Sequence, residues 1–201
     1  MDADWSVELG HEDPVLEVPW AAPDGRQGYV DLRARPELVK ELEEARRFPE
    51  LGDLLRQING ARGLVQSVKC DAWESTQMEE AEKIFEASHK VGSYCDVVFR
   101  DQAARSSFEG HERFVRKVCA LLGQAPEIPA SAEFIVRRST FHQGDEEHEG
   151  CYITAYVFGY GKNGEAARRQ WEIALKLAGN AMMQAGCDGV ERPEASNRSA
   201  G

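Results

Sequence analysis

No stretch of the chain is apolar for long enough to cross a bilayer, so no helical membrane anchor is expected. The start, "MDADWSVELG", has neither a basic segment nor an apolar core, and a secretory leader is not expected either. Cysteines are few and scattered: five in 201 residues, with no Cys-x-x-Cys pair. That speaks against a disulfide framework or a thiolate zinc centre and fits reduced thiols in a cytoplasmic protein. Basic residues are outnumbered, 24 Lys and Arg against 35 Asp and Glu, giving a net charge of -11. Such a chain repels phosphate backbones. The pairs Arg46-Arg47, Arg137-Arg138 and Arg168-Arg169 are too dispersed to build a basic groove, so neither nucleic acid nor a membrane is an expected partner.

What is present is the composition of a folded globular chain, 42% hydrophobic and 29% charged. Trp5, Val7 and Leu9 alternate with polar residues, a turn follows at "GHEDP", and "VLEVPW" alternates again, which predicts an N-terminal hairpin arm over residues 1–27. Residues 28–186 read as a single α+β domain. Residues 187–201 show no periodicity and are expected to be a disordered tail.

Within the domain, helical spacing begins near Pro36 and resumes at Pro49. The strands "LVQSVKCDAW" and "SYCDVVF" flank a segment opened by Thr76 with Glu79, the pattern of a capping box and a short helix. Ser106 with Glu109 opens another helix, closed by Gly123. The strands "AEFIVRRSTFH" and "CYITAYVF" follow, joined by "QGDEEHEG". The last helix is capped by Asn163 and carries the small face Ala167, Trp171, Ala174, Ala178 and Ala181.

These elements predict an α+β fold with a mainly antiparallel sheet and helices on one face. Arg47-Phe48 before Leu54-Leu55 and Arg113-Phe114 before Leu121-Leu122 suggest an internal helix-strand-strand duplication. The layout resembles duplicated sheet-and-helix modules that bind ligands at a pseudo-twofold cleft, as in the effector-binding domains of some drug-sensing regulators. The likeness is one of architecture, without a shared residue motif.

Gly159, Gly161 and Gly164 stand as G-x-G-x-x-G between a strand and a helix. A dinucleotide site needs a second parallel strand to present an acid to the ribose, and none follows, so no dinucleotide or other cofactor is expected. The glycines read instead as the exit from the sheet into the last helix. The loop with His142, Asp145, Glu146, Glu147, His148, Glu149 and Cys151 gathers metal-binding residue types, and a metal-assisted hydrolase using His142, His148 and Cys151 is the alternative function. It lacks an H-E-x-x-H helix, paired cysteines and a calcium-loop pattern, and an ordinary acidic hairpin tip is the preferred account of it.

The most informative pattern is the strand alternation. Val68, Cys70 and Ala72 fall on one face and Lys69, Asp71 and Trp73 on the other; Cys95, Val97 and Phe99 oppose Tyr94, Asp96 and Arg100. Asp71, Trp73, Tyr94, Asp96, Arg137, Tyr152 and Tyr156 therefore make a candidate polar and aromatic sheet face. The expected function is non-enzymatic binding of an unknown small molecule or protein on that face, with a homo-oligomer as a possible state.

Overall fold

Pattern becomes structure in the computed structural model, which describes residues 1–25 and 27–187. The elements are β1 (Asp2–Glu8), β2 (Val15–Val18), a 3-10 turn (Pro36–Glu41), α1 (Glu43–Arg47), α2 (Pro49–Asn59), β3 (Val65–Ser75), a 3-10 turn (Ala81–Phe85), β4 (His89–Phe99), α3 (Gln102–Arg105), α4 (Phe108–Leu122), β5 (Ala130–Gln143), β6 (Glu146–Gly161) and α5 (Gly164–Cys187). Helices and a sheet within one chain order of this kind make the fold α+β. No described helix is long and apolar enough to cross a membrane.

The strand order is β1-β5-β6-β4-β3, with β2 also on β5. Adjacent long strands pair antiparallel, but β1 and β2 both run parallel to β5. The sheet is therefore mixed, a correction to the mainly antiparallel expectation. The hairpin arm is corrected with it: β1 lies along residues 131–137 of β5 and β2 along residues 138–141, so the segment forms one interrupted edge instead of folding on itself. A strand-turn-strand pattern looks the same in sequence in both cases, because alternation reports which face is buried and not which strand is the neighbour.

Capping side chains mark the main helices. Ser107, one residue after the expected Ser106, accepts from the Gly110 N–H at 3.0 Å, and Asn163 accepts from the Ala166 N–H at 2.8 Å. Thr76 opens no helix; a 3-10 turn forms at Ala81–Phe85 instead. Helices α2, α4 and α5 share a core with one side of the sheet, in which Leu55, Val118, Ala174 and Ala178 meet Val91, Val97, Phe134 and Val157. The small face of α5 is buried throughout: Ala167, Trp171, Ala174, Ala178 and Ala181 are at most 5% exposed. Cys187 closes α5, and the rest of the expected tail, residues 188–201, lies outside the described residues.

Gly159 and Gly161 are strand residues lying directly beneath α5. A Cβ on Gly159 would come within 2.0 Å of the Trp171 nitrogen, and one on Gly161 within 2.4 Å of the Ala167 nitrogen. Their purpose is close approach of helix to sheet, not the turn expected from the sequence. Helix backbone covers them on the side a Cβ would occupy.

Candidate functional site

The other side of the sheet carries the candidate residues in rows fixed by register. Asp71 lies opposite Tyr94, Tyr94 opposite Tyr156, and Tyr156 opposite Glu133. Beside this row, Trp73 faces Gly92 and Gly92 faces Phe158; on its other side, Lys69 faces Asp96 and Asp96 faces Thr154. Partners directly opposite share a face, so the period-2 pattern brings the candidate residues together. A bulge between Ser67 and Lys69 displaces Val68 onto this same face, against expectation.

Four rings close on one another here: Trp73–Tyr94 at 6.5 Å, Tyr94–Tyr156 at 6.0 Å, Tyr156–Phe158 at 6.3 Å and Phe158–Trp73 at 6.0 Å. Gly92 makes the closure possible, since a Cβ there would fall 2.7 Å from the Phe158 ring. All four rings are half-buried and present apolar surface with limited freedom.

Next to the rings runs a chain of polar contacts. Arg137 donates through Nε to Glu8 Oε2 at 2.7 Å and through Nη1 to Thr154 Oγ1 at 2.8 Å; Thr154 donates in turn to Asp96 Oδ1 at 2.7 Å. Burial pushes the Asp96 carboxyl above its ordinary range, opposed by the Thr154 hydrogen bond and by the charges of Lys69 and Arg137. Burial pulls Arg137 the other way, but the Glu8 and Tyr156 hydrogen bonds outweigh it and hold the guanidinium firmly charged.

Much of the face is covered. Leu16, Val18, Val68, Val98, Phe141 and Tyr152 form an apolar cluster, flanked by Trp20 and Tyr29. Tyr152 is thus a packing residue, 4% exposed. At the far end Phe85 stacks on Tyr160 at 4.2 Å, and Lys90 pairs with Glu82 at 2.7 Å. Arg100 leaves the face altogether and donates to the carbonyls of Val65, Ala61 and Gly60.

Between these covers, along β3, lies a cavity of about 560 Å³. Trp20, Lys69, Asp71 and Tyr94 line it on one side, and Glu41, Glu43, Glu44 and Arg46 of the 3-10 turn and α1 on the other. The Lys69 ammonium lies 5.2 Å from the Trp20 ring and 5.4 Å from that of Tyr94, and it forms no ion pair with a described residue. Burial, then the charges of Glu44, Asp71 and Asp96, push the Cys70 thiol up to about 12. Burial, then Asp96 and Asp71, raise the Tyr94 phenol too. Burial is the larger cause in both, and the nearby acids along β3 add to it. The acidic wall from residues 41–44 was not anticipated; the run Glu41, Glu43, Glu44 beside a helical segment reads as a solvated face.

The alternative metal set does not assemble. Cys151 is buried in the helix-side core, while His142 and His148 stand at the exposed β5–β6 tip, where Gly144 turns the chain at φ 65°. His142 pairs with Glu17 and Glu147, and His148 with Glu146. Among the described residues no group of three or more His, Cys, Asp or Glu is placed to hold a metal ion. Comparison of the chain with protein-family models, with curated proteins and with solved structures finds no match.

Proposed function

We propose that the protein is a non-enzymatic binding module whose ligand is a small, flat, positively charged organic molecule. The observation that carries this reading is the Lys69 ammonium resting between the Trp20 and Tyr94 rings in the cavity lining, within 4 Å of no carboxylate among the described residues. Rings so arranged accommodate a cation, and each such contact contributes roughly 0.5–2 kcal/mol. Glu41, Glu43, Glu44 and Asp71 outnumber Lys69 and Arg46 around the cavity, so a further positive charge is favoured. Trp20 and Tyr94 both line the cavity and offer ring faces to a flat ligand, and a volume of about 560 Å³ suits a small organic molecule.

Catalysis finds less support. The Cys70 thiol, up at about 12, is protonated at neutral pH and a poor nucleophile, and Asp96 is buried behind the Thr154 hydroxyl.

Ethidium, a planar aromatic cation, is the test probe. It is expected to bind saturably, quenching tryptophan fluorescence, and an anionic naphthalene sulfonate of similar size is expected to bind at least about tenfold more weakly. Trp20→Ala, which removes a ring that lines the cavity, should weaken ethidium binding about tenfold, a change of roughly 1.4 kcal/mol. Equal binding of both dyes, or Trp20→Ala binding as tightly as the parent, would overturn the proposal.

A further inference from the structure

We propose that a second cavity, at the β5–β6 tip end of the sheet, binds a small organic carboxylate through the guanidinium of Arg105. The cavity measures about 860 Å³ and lies between the end of β2, the β4–α4 connection and the tip of the β5–β6 hairpin. This site is independent of the cation site along β3.

Arg105 is built in as a receptor group. Its Nε donates to the Phe99 carbonyl at 2.8 Å, and its plane lies 4.9 Å over the Phe141 ring, which fixes its position. The two Nη groups are left without a hydrogen-bond partner among the described residues. With Nε occupied, that remaining edge is the one that takes both oxygens of a carboxylate. The hydroxyl of Tyr29, in the same cavity, accepts from Gln66 Nε2 at 3.1 Å, so its own proton is available to an anion.

Neither Arg100 nor Arg105 makes an ion pair with a described residue, although the charge of Asp101 acts on Arg105. Arg100 lines the cavity, but its donors are spent on carbonyls, so it contributes charge without competing for hydrogen bonds. Burial pulls both Arg100 and Arg105 down from the usual arginine value; the charge of Arg33 adds to this at Arg100, while Tyr29 and Asp101 oppose it at Arg105. No neighbouring acid takes up the free Arg105 donors: Asp101 accepts from the Ala104 N–H at 2.8 Å, Asp31 from the Arg33 and Ala34 N–H groups at 2.9 and 3.0 Å, and Glu17 and Glu147 meet His142. Val18, Pro19 and Phe141 supply an apolar wall for the body of the ligand. Partly desolvated cations beside an apolar wall select an acid with a hydrocarbon or aromatic tail over a fully hydrated inorganic anion.

The test is calorimetric titration of the full chain with 4-phenylbutyrate, its uncharged amide and inorganic phosphate. The acid is expected to bind saturably, with the amide and phosphate each at least about tenfold weaker. Arg105→Lys keeps the charge and loses the fork, and should weaken the acid about tenfold while leaving ethidium binding unchanged. Should Arg105→Lys fail to fold, Tyr29→Phe decides, with an expected loss of about threefold. Equal binding of acid and amide, preference for phosphate, or undiminished binding in the folded variants would overturn the proposal.

Discussion

Asp96 stands diagonal to Asp71 across the β3–β4 ladder, with Lys69 opposite the first and Tyr94 opposite the second. The two carboxylates are thereby kept apart, and each meets a different fate. Asp71 is exposed, while Asp96 is 6% exposed and joined to Thr154.

The Asp96 carboxyl is raised by burial, so the folded chain holds its proton more tightly than the unfolded chain does. Its contribution to stability is present at low pH and is lost as pH rises from the ordinary Asp value of about 3.9 through the folded value. Asp96→Asn retains an oxygen to accept from Thr154 and removes the charge. The melting temperature at pH 7 is expected to rise, and the difference from the parent to shrink toward acid pH. A fall at pH 7 would show that Lys69 and Arg137 need the carboxylate more than burial opposes it.

The glycines beneath α5 differ in what they tolerate. Gly159→Ala and Gly161→Ala would drive a methyl into helix backbone, and each is expected to cost at least about 3 kcal/mol in denaturant unfolding. Gly164→Ala meets nothing within 4 Å at the first turn of α5 and should change stability by less than about 1 kcal/mol, in the stabilising direction. Similar losses at Gly161 and Gly164 would contradict the close approach of α5 to β6.

Alternation made the candidate face legible because Lys69, Asp71 and Trp73 must share a side whatever the neighbouring strand is. The same rule hid what covers it. Tyr152 and Tyr156 are equivalent in period, yet Tyr152 is buried among Leu16 and Val18 of β2 and Phe141, with Trp20 and Tyr29 of the following segment flanking the cluster, and Tyr156 is not, a difference set by contacts distant in sequence. Val68 was misplaced because a bulge adds one residue without a signature in side-chain type. Arg105 gave no signal at all. It lies in a four-residue helix, and its partners Phe99, Phe141 and Tyr29 come from three separate parts of the chain.

The Glu82–Lys90 pair anchors the turn Ala81–Phe85 over the sheet, and both side chains are little exposed, 12% and 10%. Burial alone would raise the Glu82 carboxyl, but the hydrogen bonds from Lys90, from the Glu79 N–H and from Tyr160 lower it on balance. Lys90→Met strands that carboxylate and is expected to cost about 3 kcal/mol at pH 7. The double variant Glu82→Leu/Lys90→Met removes both charges and should recover much of the loss. If the double variant is no more stable than Lys90→Met, the pair is held by surrounding packing and not by its own charges.

Asp71 and Tyr152 should separate binding from folding. Asp71 accepts from its neighbour, the Ala72 N–H, at 2.7 Å, a bond that an Asn oxygen can also accept, and its side chain is otherwise exposed beside the cavity. Asp71→Asn is therefore expected to leave stability within about 0.5 kcal/mol while weakening ethidium binding about fivefold through loss of negative charge. Tyr152 packs against Leu16, Val18, Val68, Val98 and Phe141, so Tyr152→Ala is expected to cost about 3–5 kcal/mol of unfolding free energy. Where the Tyr152→Ala chain remains folded, its ethidium affinity should stay near the parent value, because the ring does not line the cavity along β3. The reverse pattern, with Asp71→Asn unstable but binding normally and Tyr152→Ala stable but unable to bind, would place the ligand under the segment after β2 instead of along β3.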